Sequence, residues 1–159
     1  MGNLLPKEDY VMTAVIGLDS QKIENVCNEI SETGKFIAVA NYNCSVQTVI
    51  SGEKTAIDQA EIKLKELGAR KLVRLKTSGP FHTSKLEKAK NAYEKELENI
   101  KFNIPKINVI KNIDGTYYKE NDNIKEILAN HIISPVRLDK AIELMKNEKI
   151  DEYIEIGPR

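Results

Sequence analysis

The sequence carries no net charge, because twenty-four Lys and Arg offset twenty-four Asp and Glu over 159 residues. A chain with no dominant sign has no global field to gather nucleic acid or an anionic membrane, so either kind of binding would need a local patch. Long apolar runs are missing too, and stretches such as 36–40 fall far short of the roughly 20 residues a membrane helix requires. The chain is therefore not expected to span a bilayer. Cysteine is scarce: Cys27 and Cys44 make no C-x-x-C unit, and no signal-peptide pattern opens the sequence. Both features predict a reduced, cytoplasmic setting. Met1-Gly2 suggests a myristoylation start, but Pro6 stands where that motif needs Ser or Thr. Linkers, low-complexity tracts and charge blocks are absent as well. What remains, 41% hydrophobic and 30% charged residues, is the balance of a globular protein of about one domain's length.

Gathering Cys27, Cys44, His82 and His131 into a zinc site would require four residues of which no two are close in sequence. Zinc ligands are usually spaced more compactly, so no metal site is expected.

Hydrophobic spacing divides the chain into two parts. Residues 11–18 read as a mostly buried strand, with Asp19 placed to cap the helix after it. Ile23, Val26, Cys27 and Ile30 then recur at helical spacing before Gly34. Runs at 36–42 and 46–51 flank Asn43-Cys44-Ser45, a polar link short enough for a hairpin. A second helix carries Ile57, Ala60, Leu64 and Leu67 and stops at Gly68, and residues 70–76 return to an alternating strand. The order βαββαβ over 11–77 is the split βαβ, or ferredoxin-like, arrangement.

Beyond it, the spacing predicts a helix over 84–100 with Leu86, Ala89, Tyr93, Leu97 and Ile100 on one face and a Ser84–Glu87 capping box. A strand is predicted near 107–110, and Asp122 opens a helix bearing Ile124, Ile127, Leu128, His131 and Ile132. Ser134-Pro135 reads as the end of that helix and the start of the next, proline suiting a first helical position. A final strand is predicted over 153–156 before Gly157-Pro158-Arg159.

Five segments occur in a particular order: Asn41-Tyr42-Asn43, Val49-Ile50-Ser51-Gly52, Gly79-Pro80-Phe81-His82, Ser134-Pro135-Val136 and Glu155-Ile156-Gly157-Pro158. Together they resemble the C-terminal half of the malonyl-CoA:acyl-carrier-protein transacylases and the related acyltransferase domains of polyketide synthases. The likeness runs from Met1 to Pro158. It implies an α/β (α+β) fold: the ferredoxin-like subdomain at 11–77, with 1–10 and 78–159 forming part of an α/β-hydrolase-like acyltransferase core.

In that family a serine in a GHSxG elbow attacks the malonyl thioester, a histidine acts as its base and an arginine binds the malonyl carboxylate. By resemblance the base is His82. Imidazole chemistry suits the part, since a group titrating near pH 6.5 has a free lone pair at neutral pH. His82 also precedes a predicted helix, whose positive end disfavours imidazolium. Read without the resemblance, it would be an ordinary loop or cap residue.

The family orients the base with a backbone carbonyl at a position usually held by Gln, and that position falls on His131, a departure from the pattern. The carbonyl can serve whatever the side chain, because the last four carbonyls of a helix lack intrahelical partners. At its spacing with Ile124, Ile127 and Leu128, His131 is equally a core-facing residue. Phe81, directly before the base, goes with malonyl rather than methylmalonyl in related acyltransferases. Its ring would fill the space of an α-methyl group, a discrimination worth roughly 1–3 kcal/mol, unless it is plain core. Asn41 and Asn43 match a cleft-facing Asn-x-Asn that could bind the acyl or pantetheine portion, although both also suit a turn.

Arg70, Arg74 and Lys76 lie on the last subdomain strand, where they could steer an acidic carrier protein or simply protect an edge. The implied substrates are malonyl-CoA and the phosphopantetheinylated carrier protein, with no bound cofactor, no nucleic acid and no membrane.

No G-x-S-x-G occurs in the sequence. The expectation is that the elbow, the oxyanion segment and the substrate arginine belong upstream of Met1, and that the family's last helix is cut away. The chain would then supply the base without the nucleophile and be inactive alone, needing an N-terminal half. Two other readings fit the same residues, a non-catalytic carrier-binding module and an inactive fragment that self-associates.

Overall fold

The computed structural model describes residues 9–77 and 79–157. The Met1-Gly2 start, Ser78 and the closing Pro158-Arg159 lie outside them. Five strands form one sheet: β1 (Tyr10–Ile16), β2 (Ile37–Cys44), β3 (Gln47–Glu53), β4 (Lys71–Arg74) and β5 (Val136–Arg137). The helices are α1 (Ser20–Ser31), α2 (Lys54–Glu66), α3 (Glu87–Glu98), α4 (Ile124–His131) and α5 (Leu138–Asn147). The sheet order is β4-β1-β3-β2-β5. The first four strands are antiparallel, in the order expected of a ferredoxin-like unit.

One face of this sheet is closed by α1 and α2. Ile23, Val26, Cys27 and Ile30 from α1 meet Ile57, Ala60 and Leu64 from α2 over Val15, Ile37, Val39 and Ile50. The opposite face is apolar as well, with Met12, Ala14, Ala40 and Val49 packed against Val73 and Leu75. Burial on both faces explains why residues 11–16 read as a mostly apolar run instead of alternating. Asp19 caps α1 as its position predicts, accepting from the Gln21 N–H at 2.9 Å.

β2 and β3 form the predicted hairpin, but β2 continues through Cys44 and carries register shifts between Val39 and Asn41 and between Tyr42 and Cys44. Bulges of this kind bend a strand and re-aim its side chains. They fall on the Asn-x-Asn segment. Next to it β5 pairs in parallel with Asn41 and Tyr42, so the sheet continues past the boundary drawn at residue 77.

Gly52 sits where β3 meets the start of β2, and a Cβ there would lie 2.6 Å from the Phe36 carbonyl oxygen. That oxygen accepts from the Glu53 N–H at 2.9 Å and cannot retreat freely. Gly52→Ala is expected to cost about 1–3 kcal/mol through overpacking, read as a lower denaturant midpoint with unchanged slope.

Five predicted features differ. The Ser84–Glu87 capping box does not form: Ser84–Leu86 is a 3-10 turn with no side-chain cap, and α3 begins only at Glu87. Thr83, buried at its start, instead donates its hydroxyl to the Pro80 carbonyl at 2.7 Å. Pro135 does not open a helix, because the chain first pairs as β5 and α5 starts at Leu138. A residue pinned into a sheet ladder by β2 cannot also begin a helical turn. Over 107–110 only a bridge between Ile110 and Tyr117 forms, and 153–156 makes no strand among the described residues. A strand needs a neighbour for its backbone groups: 107–110 finds one only at its end, where the Tyr118 N–H donates to the Val109 carbonyl at 3.0 Å, and 153–156 pairs with no strand among the described residues. The cap of α4 is Asn123, accepting from the Glu126 N–H, while Asp122 turns back to Lys111 and the Lys119 N–H.

Candidate active site

After β4 the chain passes through buried Gly79 and Pro80 to Phe81 and His82. His82 has a φ of 58°, in the left-handed region that few non-glycine residues adopt, though His, Asn and Asp do so more readily than most. The surrounding turn enforces it. Thr83 holds the Pro80 carbonyl, the Leu86 N–H donates to the Thr83 carbonyl at 3.1 Å, and Thr83 and Leu86 are both buried. Lys85 lies over the Phe36 ring, 4.8 Å from its centroid, and pins the turn to the edge of the sheet. A strained backbone held by its neighbours is characteristic of functional positions.

α4 packs against α3 and ends beside this turn. The N–H groups that close α4 go to the Ala129 and Asn130 carbonyls, leaving the His131 carbonyl free of them. His82 Nδ1 lies 3.1 Å from that oxygen. A carbonyl can only accept, so Nδ1 carries the proton and donates, and in the neutral ring Nε2 holds the lone pair. The carbonyl thus selects the tautomer that leaves Nε2 able to take a proton.

The two histidine rings also lie against one another in a tilted pair, with centroids 5.0 Å apart and planes 33° from parallel. Burial first, and then the nearby His82, push the His131 pKa below its ordinary 6.5. Because the folded chain resists a proton that the unfolded chain accepts, His131 contributes stability that is complete above pH 6.5 and lost as pH falls through its lowered folded value. Denaturant midpoints measured from pH 7.5 to 5 should fall less in His131→Gln than in the parent chain.

The other predicted residues are placed as follows. Phe81 is 37% exposed and is not core. Asn41 pairs with Val49, whose side chain belongs to the cluster on the face away from α1 and α2. Cross-strand partners share a face, so Asn41 points that way too. Asn43 occupies the second bulge, half-buried. β5, which follows His131 after a short turn, pairs with β2 at Asn41 and Tyr42. Arg70, Arg74 and Lys76 stand apart from that pair, on or next to edge strand β4. Arg74 reaches Glu61 at 2.8 and 3.0 Å and also contacts Asp58. Its charge is thereby matched by two carboxylates, while Arg70 and Lys76 remain exposed.

Two features of the site were not singled out in the sequence. Arg137 lies over the Tyr42 ring at 4.3 Å and grips Asp139 through two bonds of 2.7 and 2.9 Å, fixing β5 against β2. Its signal was the Arg-x-Asp spacing directly after Ser-Pro-Val. Thr83, which shapes the His82 turn, adjoins His82 in sequence but was overlooked in favour of Ser84.

Among the described residues no group of three or more His, Cys, Asp or Glu is arranged to hold a metal ion. Cys27 is buried, and burial followed by the Glu24 carboxylate pushes its thiol up to about 12, which keeps it protonated at neutral pH. No helix among the described residues is long and apolar enough to cross a membrane.

No protein-family model matches the chain. Individual relatives do. A malonyl CoA-acyl carrier protein transacylase of Staphylococcus aureus is 34% identical over 158 residues, covering 99% of this chain and 51% of the relative. The crystal structure of a malonyl CoA-acyl carrier protein transacylase from Clostridium perfringens superposes with a TM-score of 0.92 at 34% identity, over 100% of this chain and 50% of that one. Over its whole length the chain matches the C-terminal half of the malonyl-CoA:acyl carrier protein transacylases. It spans about half the length of the curated relatives it matches. A further family structure is that of a malonyl-transacylase in complex with its type II polyketide synthase acyl-carrier protein, with a TM-score of 0.85 at 28% identity over 93% of this chain and 48% of that one. The transacylases are acyl-transferring enzymes by name, and the left-handed His82 and the His131 carbonyl lie within the stretch they share with this chain.

Proposed function

We propose that this chain is the C-terminal, histidine-bearing part of a malonyl-CoA:acyl-carrier-protein transacylase, with His82 as general base. The observation that carries the reading is the 3.1 Å contact from His82 Nδ1 to the His131 carbonyl, which leaves Nε2 as the proton acceptor. The serine nucleophile comes from a complementary segment, since no G-x-S-x-G occurs in these 159 residues.

In the first half-reaction Nε2 removes the serine proton as the oxygen attacks the malonyl thioester. The tetrahedral intermediate collapses, the carbon–sulfur bond breaks, and the proton passes from Nε2 to the departing coenzyme A sulfur. In the second, Nε2 takes the proton of the carrier's phosphopantetheine thiol as that sulfur attacks the malonyl ester, and returns it to the serine oxygen. The base is restored after each half, so no cofactor is needed. Phe81, projecting beside the base, restricts the acyl group to malonyl. Asn41 and Asn43, at the bulges of β2, bind the acyl or pantetheine portion. Of the three candidate cations, Arg70 and Lys76 are left for an acidic carrier protein, because Arg74 is engaged by Glu61 and Asp58.

Surface composition supports a missing complement. Ile107, Ile154 and Ile156 are 78%, 74% and 92% exposed, and the segments carrying them form no strand that could cover them. In the proposed enzyme the complementary half covers these side chains.

The test mixes the purified chain with a separately folded N-terminal half of a family member and follows malonyl transfer to carrier protein. Transfer by the mixture and none by either part is expected. Failure of the mixture, with both parts folded and bound to one another, would overturn the reading.

A further inference from the structure

In the proposed transfer only the carbonyl of His131 acts, and its side chain has no assigned use. That side chain is nevertheless oddly placed. Nε2 of His131 is shielded from solvent and has no hydrogen-bond partner among the described residues, a state that native structures usually avoid. The ring meets His82 with centroids 5.0 Å apart and planes 33° from parallel. Burial and the neighbouring imidazole hold it neutral at neutral pH. Several charged groups on the flanking helices are engaged elsewhere: Glu87 and Lys90 of α3 pair at 3.8 Å, Lys125 of α4 donates to the Glu98 carbonyl, and Glu126 lies against Asn123.

One hydrogen bond from Nδ1 fixes the direction of that N–H but leaves the imidazole free to rock about the Nδ1···O axis, which swings Nε2. A flat group against the ring face removes the rocking. We infer that the His131 side chain is a positioning residue for His82, its ring acting as a wall that, with the carbonyl contact, allows the base a single orientation. The inference rests on the transfer reading for its catalytic consequence and on the ring geometry alone for its structural content. It also gives the unpartnered Nε2 a physical setting: a ring needed for its shape and flatness lies there without a polar partner.

The chain contains two histidines, so nitrogen-15 imidazole spectra of the whole chain resolve each without further labelling. His131→Ala and His131→Gln both keep the backbone carbonyl, and His131→Phe keeps a flat ring without nitrogen. In the parent chain His82 is expected to be one tautomer, protonated at Nδ1, with a ring as ordered as the backbone around it. His131→Ala keeps that tautomer, because the carbonyl remains, but should loosen the ring, read from imidazole nitrogen relaxation as a several-fold larger amplitude of motion, and His131→Phe should restore the order. Gln, a flexible and non-aromatic side chain, should resemble Ala, and it serves in place of Ala if that variant does not fold. Unchanged His82 ring order in a folded Ala or Gln variant would overturn the inference, as would a folded Phe variant that fails to restore it. In the complemented transferase, His131→Ala should lower kcat about ten- to a hundredfold at unchanged KM, with rescue by Phe. Absence of transfer in the parent mixture, with the relaxation changes present, would count against the transfer reading and leave this inference standing.

Discussion

Replacing His82 with Asn is expected to lower malonyl transfer by the complemented enzyme about 10²–10⁴-fold, the usual contribution of a general base, while leaving the chain folded. Asn is the informative choice because it tolerates the left-handed backbone that His82 adopts at φ 58°. Ala would add backbone strain to the loss of the base and confuse the two. The Asn amide can still donate toward the His131 carbonyl, yet it offers no nitrogen lone pair to a serine hydroxyl. A variant with the parent's denaturant midpoint and transfer within threefold of the parent's would remove His82 from the base role.

The largest loss of stability is expected at Ile50→Ala, about 2–5 kcal/mol. Ile50 is fully buried on β3, paired with Thr13 of β1 and Val39 of β2, and lies under α1 and α2. Truncation leaves a void that a sheet paired on both sides of β3 cannot collapse to fill. Urea unfolding followed by circular dichroism would read it, and a loss below 1 kcal/mol would mean that the sheet relaxes around the gap. His82 lies outside this core, so the two substitutions separate stability from chemistry.

The ferredoxin-like part was legible element by element, although Leu67, placed on the α2 stripe by its spacing, lies past the helix end and is 48% exposed, and β2 runs on through Cys44. Its helices carry apolar residues at helical spacing, its hairpin link is polar, and its cap is an Asp, because each element there is bounded by local chemistry. Ile23, Val26, Cys27 and Ile30 are all buried as their spacing implies. The later part was less legible, for a reason its own residues supply. Pro135 suits the start of a helix, but the ladder between Val136 and Asn41 overrides that local preference. Ser84 and Glu87 have the spacing of a capping box, but Thr83 turns to Pro80 and the first turn tightens to 3-10. The apolar runs at 107–110 and 153–156 have strand-like composition without a neighbouring strand, and pairing is not a property of a segment alone.

The site divides in the same way. Motif order named His82, His131, Phe81 and the two Asn residues, and the chemistry of imidazole made His82 a plausible base. Local sequence could not say which His82 nitrogen is protonated, since that follows from a carbonyl 49 positions away in the chain brought to 3.1 Å by the packing of α4 on α3. Nor could it show that the two imidazoles meet as a tilted pair, or that Arg74, one of three cations in a row of candidates, is held by Glu61 and Asp58. Composition and periodicity depend on near neighbours and were enough for the fold class and most of its elements. Protonation state, ring orientation and free charge depend on groups distant in sequence, and for those the contacts between α4, the His82 turn and the bulged end of β2 were needed.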